Sequence, residues 1–196
     1  MENSSTIIDT LISDCENRAT SGIAYFYFDF NNHSIAQDHN RLLRSLIEQL
    51  SSQSGAVPQP LTSLYQRCRN GTVQPLTADL VKTFRSIIGS FTQFYLVIDA
   101  VDESKEKQEF LGFLNTIAQW KLPQVHVLVT SRTEIDSEIR SRNWKCVTVA
   151  IEEHLVDADI QKHILATLED DEVLNRWDPS HQEVIAKTLI SGANGK

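Results

Sequence analysis

Asp99, Asp102 and Glu103 place three carboxylates within five residues, directly after the apolar run Phe94–Ile98. Like charges this close repel one another unless a cation or solvent offsets them. A hydrophobic strand that carries such a cluster at its end fits a Mg²⁺–nucleotide site. Hard oxygen ligands suit Mg²⁺, which takes one or two carboxylates and completes its shell with water and phosphate. A further carboxylate can orient or deprotonate an attacking water. The same residues also read as a solvated acidic loop leading into a helix that Ser104 caps.

A second apolar run, Val125–Val129, ends in Thr130-Ser131-Arg132. If the two runs are neighbouring strands, a cation emerges beside the acids, and an arginine there can sense a terminal phosphate. A surface arginine on a loop is the plainer reading. Asp29, near the end of the first apolar run, reads as a turn cap. The six histidines show no metal-ligand spacing. Cys15, Cys68 and Cys146 lie far apart and odd in number, which gives neither a disulfide framework nor a zinc knuckle. They read as reduced thiols serving as small hydrophobes.

The elements that must position these groups follow from periodicity. Helical spacing predicts a helix over Ser4–Glu16, with Gly22 as its stop. Ile23–Phe30 is too short and too aromatic for a helix and reads as a strand covered on both faces. Helices follow over Asp38–Ser51, Leu61–Cys68 and Thr77–Ser90, the last capped by Thr77. Strands are predicted at Phe94–Asp99, Val125–Thr130 and Lys145–Ile151, with a helix after Ser104 and a short one over Glu134–Arg142. Two helices close the chain, Asp157–Glu169 and Ser180–Ile190; Ser180 and Glu183 have the spacing of a capping box. Strands that are continuously apolar and alternate with helices imply an α/β fold, a parallel sheet with helices on both faces.

Composition narrows the function. In 196 residues, 41% are hydrophobic and 22% charged, which excludes wholesale disorder. No run approaches the ~18 apolar residues of a membrane span. The first 20 residues are polar and acidic, unlike a secretory signal. A net charge of −8 argues against a nucleic-acid partner. A cytoplasmic protein, with neither nucleic acid nor membrane as partner, is the resulting expectation.

Together these pieces resemble the NACHT module of the STAND class of P-loop NTPases, in particular fungal NACHT proteins that often carry ankyrin or WD repeats. The resemblance rests on Ala24-Tyr-Phe-Tyr-Phe-Asp-Phe30, on Leu42-Leu-Arg-Ser-Leu-Ile-Glu-Gln-Leu50 and, most specifically, on the Walker B-like Leu96-Val-Ile-Asp-Ala-Val-Asp-Glu103. Val129-Thr-Ser-Arg132 looks like sensor 1, Asp157–Ile164 resembles the opening helix of the family's helical lid, and Ser191–Gly195 is similar to its small-residue turn. The resemblance implies a module that binds ATP or GTP with Mg²⁺ and switches between closed and self-associating forms. Carried over, Asp99 would hold the metal through water, Asp102 and Glu103 would position the attacking water, and Arg132 would sense the γ-phosphate.

The chain departs from that pattern at the phosphate loop. A Walker A loop, Gly-x-x-x-x-Gly-Lys-Ser/Thr, wraps backbone N–H groups and a lysine around the phosphates. Of seven glycines only Gly195 precedes a lysine, and there the chain ends. The expectation is a fragment starting after the Walker A loop. Residues 1–151 would be a four-stranded nucleotide-binding core whose first strand is missing, and residues 152–196 the start of the lid. Such a chain would hold neither Mg²⁺ nor nucleotide tightly, would be inactive alone, and would leave an open edge beside the strand at 125–130. Its partners would be proteins or further copies of itself. The alternative is a non-enzymatic interaction module derived from a NACHT domain. A phosphatase of the haloacid dehalogenase type needs Asp-x-Asp after its first strand, and the chain offers Asp29-x-Asn31 and Asp99-x-Val101.

Overall fold

The computed structural model describes residues 2–18, 20–28, 38–131, 138, 144, 146–149, 153–171 and 173–193. The chain divides into two compact units, residues 1–144 and 145–196.

In the first unit, α1 (Glu2–Glu16), β1 (Ser21–Tyr27), α2 (Asp38–Gln53), α3 (Gln59–Arg67), α4 (Thr77–Ile88), β2 (Gln93–Asp99), α5 (Lys107–Gln119) and β3 (Val125–Val129) follow in order. A 3₁₀ turn, Val101–Glu103, separates β2 from α5. The strands form one parallel sheet in the order β1-β2-β3. Alternation along each strand divides the core. Ala24, Phe26, Phe94, Leu96 and Ile98 face the main cluster, which Leu42, Leu46, Leu80, Phe84, Ile88, Phe110 and Leu114 fill from α2, α4 and α5. Ile23, Tyr25, Tyr95 and Val97 face the other side, where Ile8 and Cys15 of α1 cover them. Both faces of β1 and β2 are thus covered, which is why these two strands read as unbroken apolar runs.

Helix α4 shows how local pattern becomes packing. Leu80, Phe84, Ile87 and Ile88 recur at helical spacing and are all buried. Phe84 meets Phe94 edge-on at 5.8 Å between ring centroids. Truncating such a side chain to alanine costs about 3–5 kcal/mol.

The second unit contains α6 (Glu153–Asp170), a 3₁₀ turn at Leu174–Arg176, and α7 (Pro179–Ala193). α6 and α7 pack together, with Leu168 and Ala186 buried. Among the described residues no helix is long and apolar enough to cross a membrane.

Several expectations are corrected. The sheet has three strands among the described residues rather than four. Of the expected fourth, residues 146–149 run without strand pairing, and Val147 and Val149 are 91% and 81% exposed. A strand needs a ladder partner, and β-propensity alone does not supply one. Gly22 does not stop α1; it lies within β1, where a Cβ would come within 2.7 Å of the Phe91 ring. Thr77 makes no cap bond, because its hydroxyl donates to Asn40 Oδ1 at 2.9 Å. Ser104 precedes the true start of α5, where Glu106 is the N-cap residue, and its hydroxyl accepts from Glu106 N at 3.3 Å. The capping box at Ser180 and Glu183 is displaced: Asp178 Oδ1 accepts from Ser180 N at 2.9 Å, and Glu183 pairs instead with Lys187 at 2.6 Å. Cys15 and Cys68 are buried, but Cys146 is exposed. Helical spacing puts Leu165 beside Ile160, Ile164 and Leu168 on the apolar stripe of α6, yet it is exposed. Glu138 is helical; the rest of the expected helix over Glu134–Arg142 lies outside the described residues.

Candidate functional site at the acidic strand tip

The parallel register brings the carboxyl ends of all three strands together. Tyr27 lies beside Asp99, and Ile98 beside Val129. The ladder extends past the strands, with Phe28 N donating to Asp99 O at 3.1 Å and Thr130 N to Ile98 O at 2.9 Å. Asp99, at the end of the central strand, is therefore enclosed from both sides and is only 6% exposed.

A buried carboxylate needs hydrogen bonds. Asp99 Oδ1 accepts two: from Ser4 Oγ in the first turn of α1 at 2.6 Å, and from Thr130 Oγ1 just past β3 at 2.5 Å. Ser4 is itself buried. The carboxylate thus ties α1 to the tips of two strands. Bonds to an ionised acceptor contribute about 1.5–3 kcal/mol each.

Thr130 does more. Its hydroxyl accepts from Ala100 N at 3.1 Å, and its carbonyl accepts from Val101 N at 3.1 Å. Ala100 sits in the left-handed region, φ 55° and ψ 48°, a conformation that costs a residue with a Cβ about 1–2 kcal/mol. The two bonds from Thr130 hold the chain in that turn. The turn then carries Asp102 and Glu103 in its 3₁₀ segment, both half-buried and both with interaction partners.

The turn is also tied to α2. Glu106 Oε2 accepts from His39 N at 2.9 Å, filling one of the open donors at the start of α2. The His39 ring packs edge-on against Phe113, 5.5 Å between centroids, and its buried Nδ1 has no hydrogen-bond partner. Burial holds the His39 pKa below its usual value, partly opposed by the charges of Glu106 and Glu109.

The structure thus brings Asp99, Asp102 and Glu103 onto one strand tip, while Arg132 and Asp29 lie outside the described residues. Sequence reasoning missed Ser4 and the clamping role of Thr130. A lone hydroxyl opening an apolar helix carries no signal until the sheet register is known. For a resident Mg²⁺, the donors fit in kind but not in arrangement. Both hydroxyl bonds converge on one oxygen of a nearly enclosed Asp99, and among the described residues no three acidic, histidine or cysteine groups converge to hold a metal.

A parallel sheet flanked by helices, with acids gathered at its carboxyl end, defines an α/β protein of the architecture that places ligand chemistry at strand ends. The family model for the nephrocystin 3 N-terminal region matches residues 3–132, and the chain belongs to that family. The match spans α1 through the turn after β3, so it contains Ser4, Asp99, Asp102, Glu103 and Thr130. No curated protein and no solved structure matches the chain.

Proposed function

We propose that this chain is a NACHT-related signalling region. It would be the sheet and acidic tip of an ATP- or GTP-dependent switch, without nucleotide hydrolysis of its own. The observation that carries this reading is the tip itself: Asp99 at the end of the central strand, with Asp102 and Glu103 on the turn that Thr130 holds. In a complete site Asp102 and Glu103 would orient an attacking water, and Arg132 would meet the terminal phosphate. The water-mediated metal contact assigned to Asp99 by resemblance would require its hydroxyl partners to rearrange. The 196 residues spell no Walker A loop. A triphosphate approaching the tip would meet these carboxylates. At ~4 Å each like-charge pair costs ~1 kcal/mol in water and ~4 kcal/mol near a protein surface.

Isothermal titration of the full chain with Mg-ATP and Mg-GTP tests this directly. Heats too small to fit are expected for both. Micromolar affinity for either would overturn the proposal.

The second reading, a non-enzymatic interaction module, is favoured by one observation. Asp99 is engaged in tying three elements together, as a structural group would be. On that reading the Asp99→Asn variant, which keeps an acceptor for both hydroxyls, retains partner binding. On the switch reading, partner binding responds to nucleotide once a Walker A segment is supplied in front of residue 1.

A further inference from the structure

Away from the acidic tip, α3 and α4 lie side by side with a cavity of about 440 Å³ between them, lined by Gln66, Arg67, Lys82 and Ser86 among others. Lys82 and Ser86 also line a second cavity of about 670 Å³, together with Arg85 and Leu122. The two cavities flank α4 and share Lys82 and Ser86 between them.

Its charge is unusual for this chain. Between Glu48 and Asp99 the sequence has one carboxylate, Asp79, against Arg67, Arg69, Lys82 and Arg85, in a protein of net charge −8. Asp79 stands 4.0 Å from Arg67 in a solvated pair, and pairs of that kind contribute little. Lys82 and Arg85 have no carboxylate within 4.0 Å among the described residues. The Arg85 guanidinium lies 5.6 Å over the Trp120 ring, which fixes its position at the groove wall.

The opposite charge is presented elsewhere on the same chain. Glu169, Asp170 and Asp171 are exposed at the end of α6, and Glu172 follows in sequence. Hydrogen bonds tie this corner together. Asp171 Oδ1 accepts from Val173 N at 2.8 Å and Leu174 N at 2.9 Å, and Asn175 Nδ2 donates to Glu169 O at 2.8 Å. The backbone N–H groups of Leu174 and Val173 hold the Asp171 pKa below the usual carboxylate value. A pre-organised partner loses little entropy on docking.

We propose that the basic groove along α4, carrying Lys82 and Arg85, docks the acidic α6 corner of a second copy of this chain. The contact joins two different surfaces, so it is head-to-tail: the copy whose groove is filled keeps a free corner, and the copy whose corner is docked keeps a free groove, for further growth. The proposal does not depend on the nucleotide reading.

Sedimentation velocity on the full chain tests it, at ionic strengths of about 0.01 M and about 1 M, where the Debye length is ~30 Å and ~3 Å. Concentration-dependent association is expected at low salt, weakened at least about tenfold at high salt. Lys82→Glu with Arg85→Glu reverses the groove; Glu169→Lys with Asp170→Lys reverses the corner and leaves Asp171 in place. Each double variant alone is expected to associate at least about tenfold more weakly, and an equimolar mixture of the two regains association. All these sites are exposed, and circular dichroism melts are expected to remain close to those of the parent. The proposal is overturned if the parent stays monomeric at low salt, if groove reversal leaves association unchanged, or if mixing restores nothing. Association that persists at high salt points instead to apolar pairing and also overturns it.

Discussion

The two outer edges of the sheet are treated in opposite ways. At β1, two glutamines one helical turn apart on α2 stand in for a neighbouring strand. Gln49 accepts from Tyr25 N at 3.0 Å and donates to Tyr25 O at 2.8 Å. Gln53 accepts from Ile23 N at 3.0 Å and donates to Ile23 O at 2.6 Å. Each primary amide reproduces the donor–acceptor pair of a peptide unit, so this edge offers no template to another chain. At β3, Val127 and Leu128 are 41% and 37% exposed on alternate faces, and no further strand pairs there among the described residues. The strand carries neither proline nor lysine, the usual devices against edge pairing. One edge is therefore closed by side-chain chemistry, and the other is unpaired among the described residues.

Breaking the closed edge is expected to have the largest effect. Replacing Gln49 and Gln53 together by alanine leaves four backbone groups without protein partners. At about 0.5–1.5 kcal/mol per hydrogen bond, the loss should reach about 2–6 kcal/mol in urea melts, with increased aggregation. Unchanged stability would mean that the amide pairs merely fill space.

The next effect is at the tip that both neighbouring strands share. Asp99→Ala leaves the buried Ser4 hydroxyl and the clamping Thr130 hydroxyl without their shared acceptor. A destabilisation of about 1–3 kcal/mol is expected, and Asp99→Asn, which keeps an acceptor, should recover most of it. Equal losses in the two variants would show that charge, not hydrogen bonding, holds the tip.

A smaller effect sharpens the contrast from the open side. Val127→Lys places a charge on the exposed edge strand and should change stability by no more than about 0.5 kcal/mol. It should nevertheless reduce light scattering on heating, where partly unfolded chains pair through exposed apolar edges. If scattering is unchanged, the β3 edge is not the sticky one.

The smallest effect is a pH slope. Burial lowers the His39 pKa below its ordinary 6.5 in the folded chain. Folding therefore favours the neutral ring. The stabilisation is complete above the unfolded pKa and is lost as pH falls from there through the folded value. His39→Gln should flatten that part of the stability–pH curve, as measured by melts between neutral and mildly acidic pH, and leave neutral pH little changed.

Much of the fold was legible in the residues, for identifiable reasons. Leu42, Leu46, Leu80, Phe84 and Phe110 repeat at helical spacing because each helix buries one stripe, and each of them is buried. Phe94–Ile98 reads as continuously apolar because helices cover the sheet on both faces, and a run of that kind ending in Asp99 announces a strand tip. The expected strand at 145–151 failed for the converse reason: Cys146–Val149 has the composition of a strand, but a strand exists only with a partner. Capping failed similarly at Thr77, where the hydroxyl found Asn40 across the fold, a partner separated by 37 residues.

The sequence by itself determined which segments are helical or extended, that the sheet is parallel, and that three acids follow the central strand. These are local matters of period, composition and adjacency. Tertiary structure alone decided that Ser4 and Thr130, 126 positions apart, meet on one oxygen of Asp99, and that Gln49 and Gln53 close the β1 edge. Such pairings depend on strand order and register, which single side chains do not encode. They arise only once buried polar groups must find partners inside a packed core.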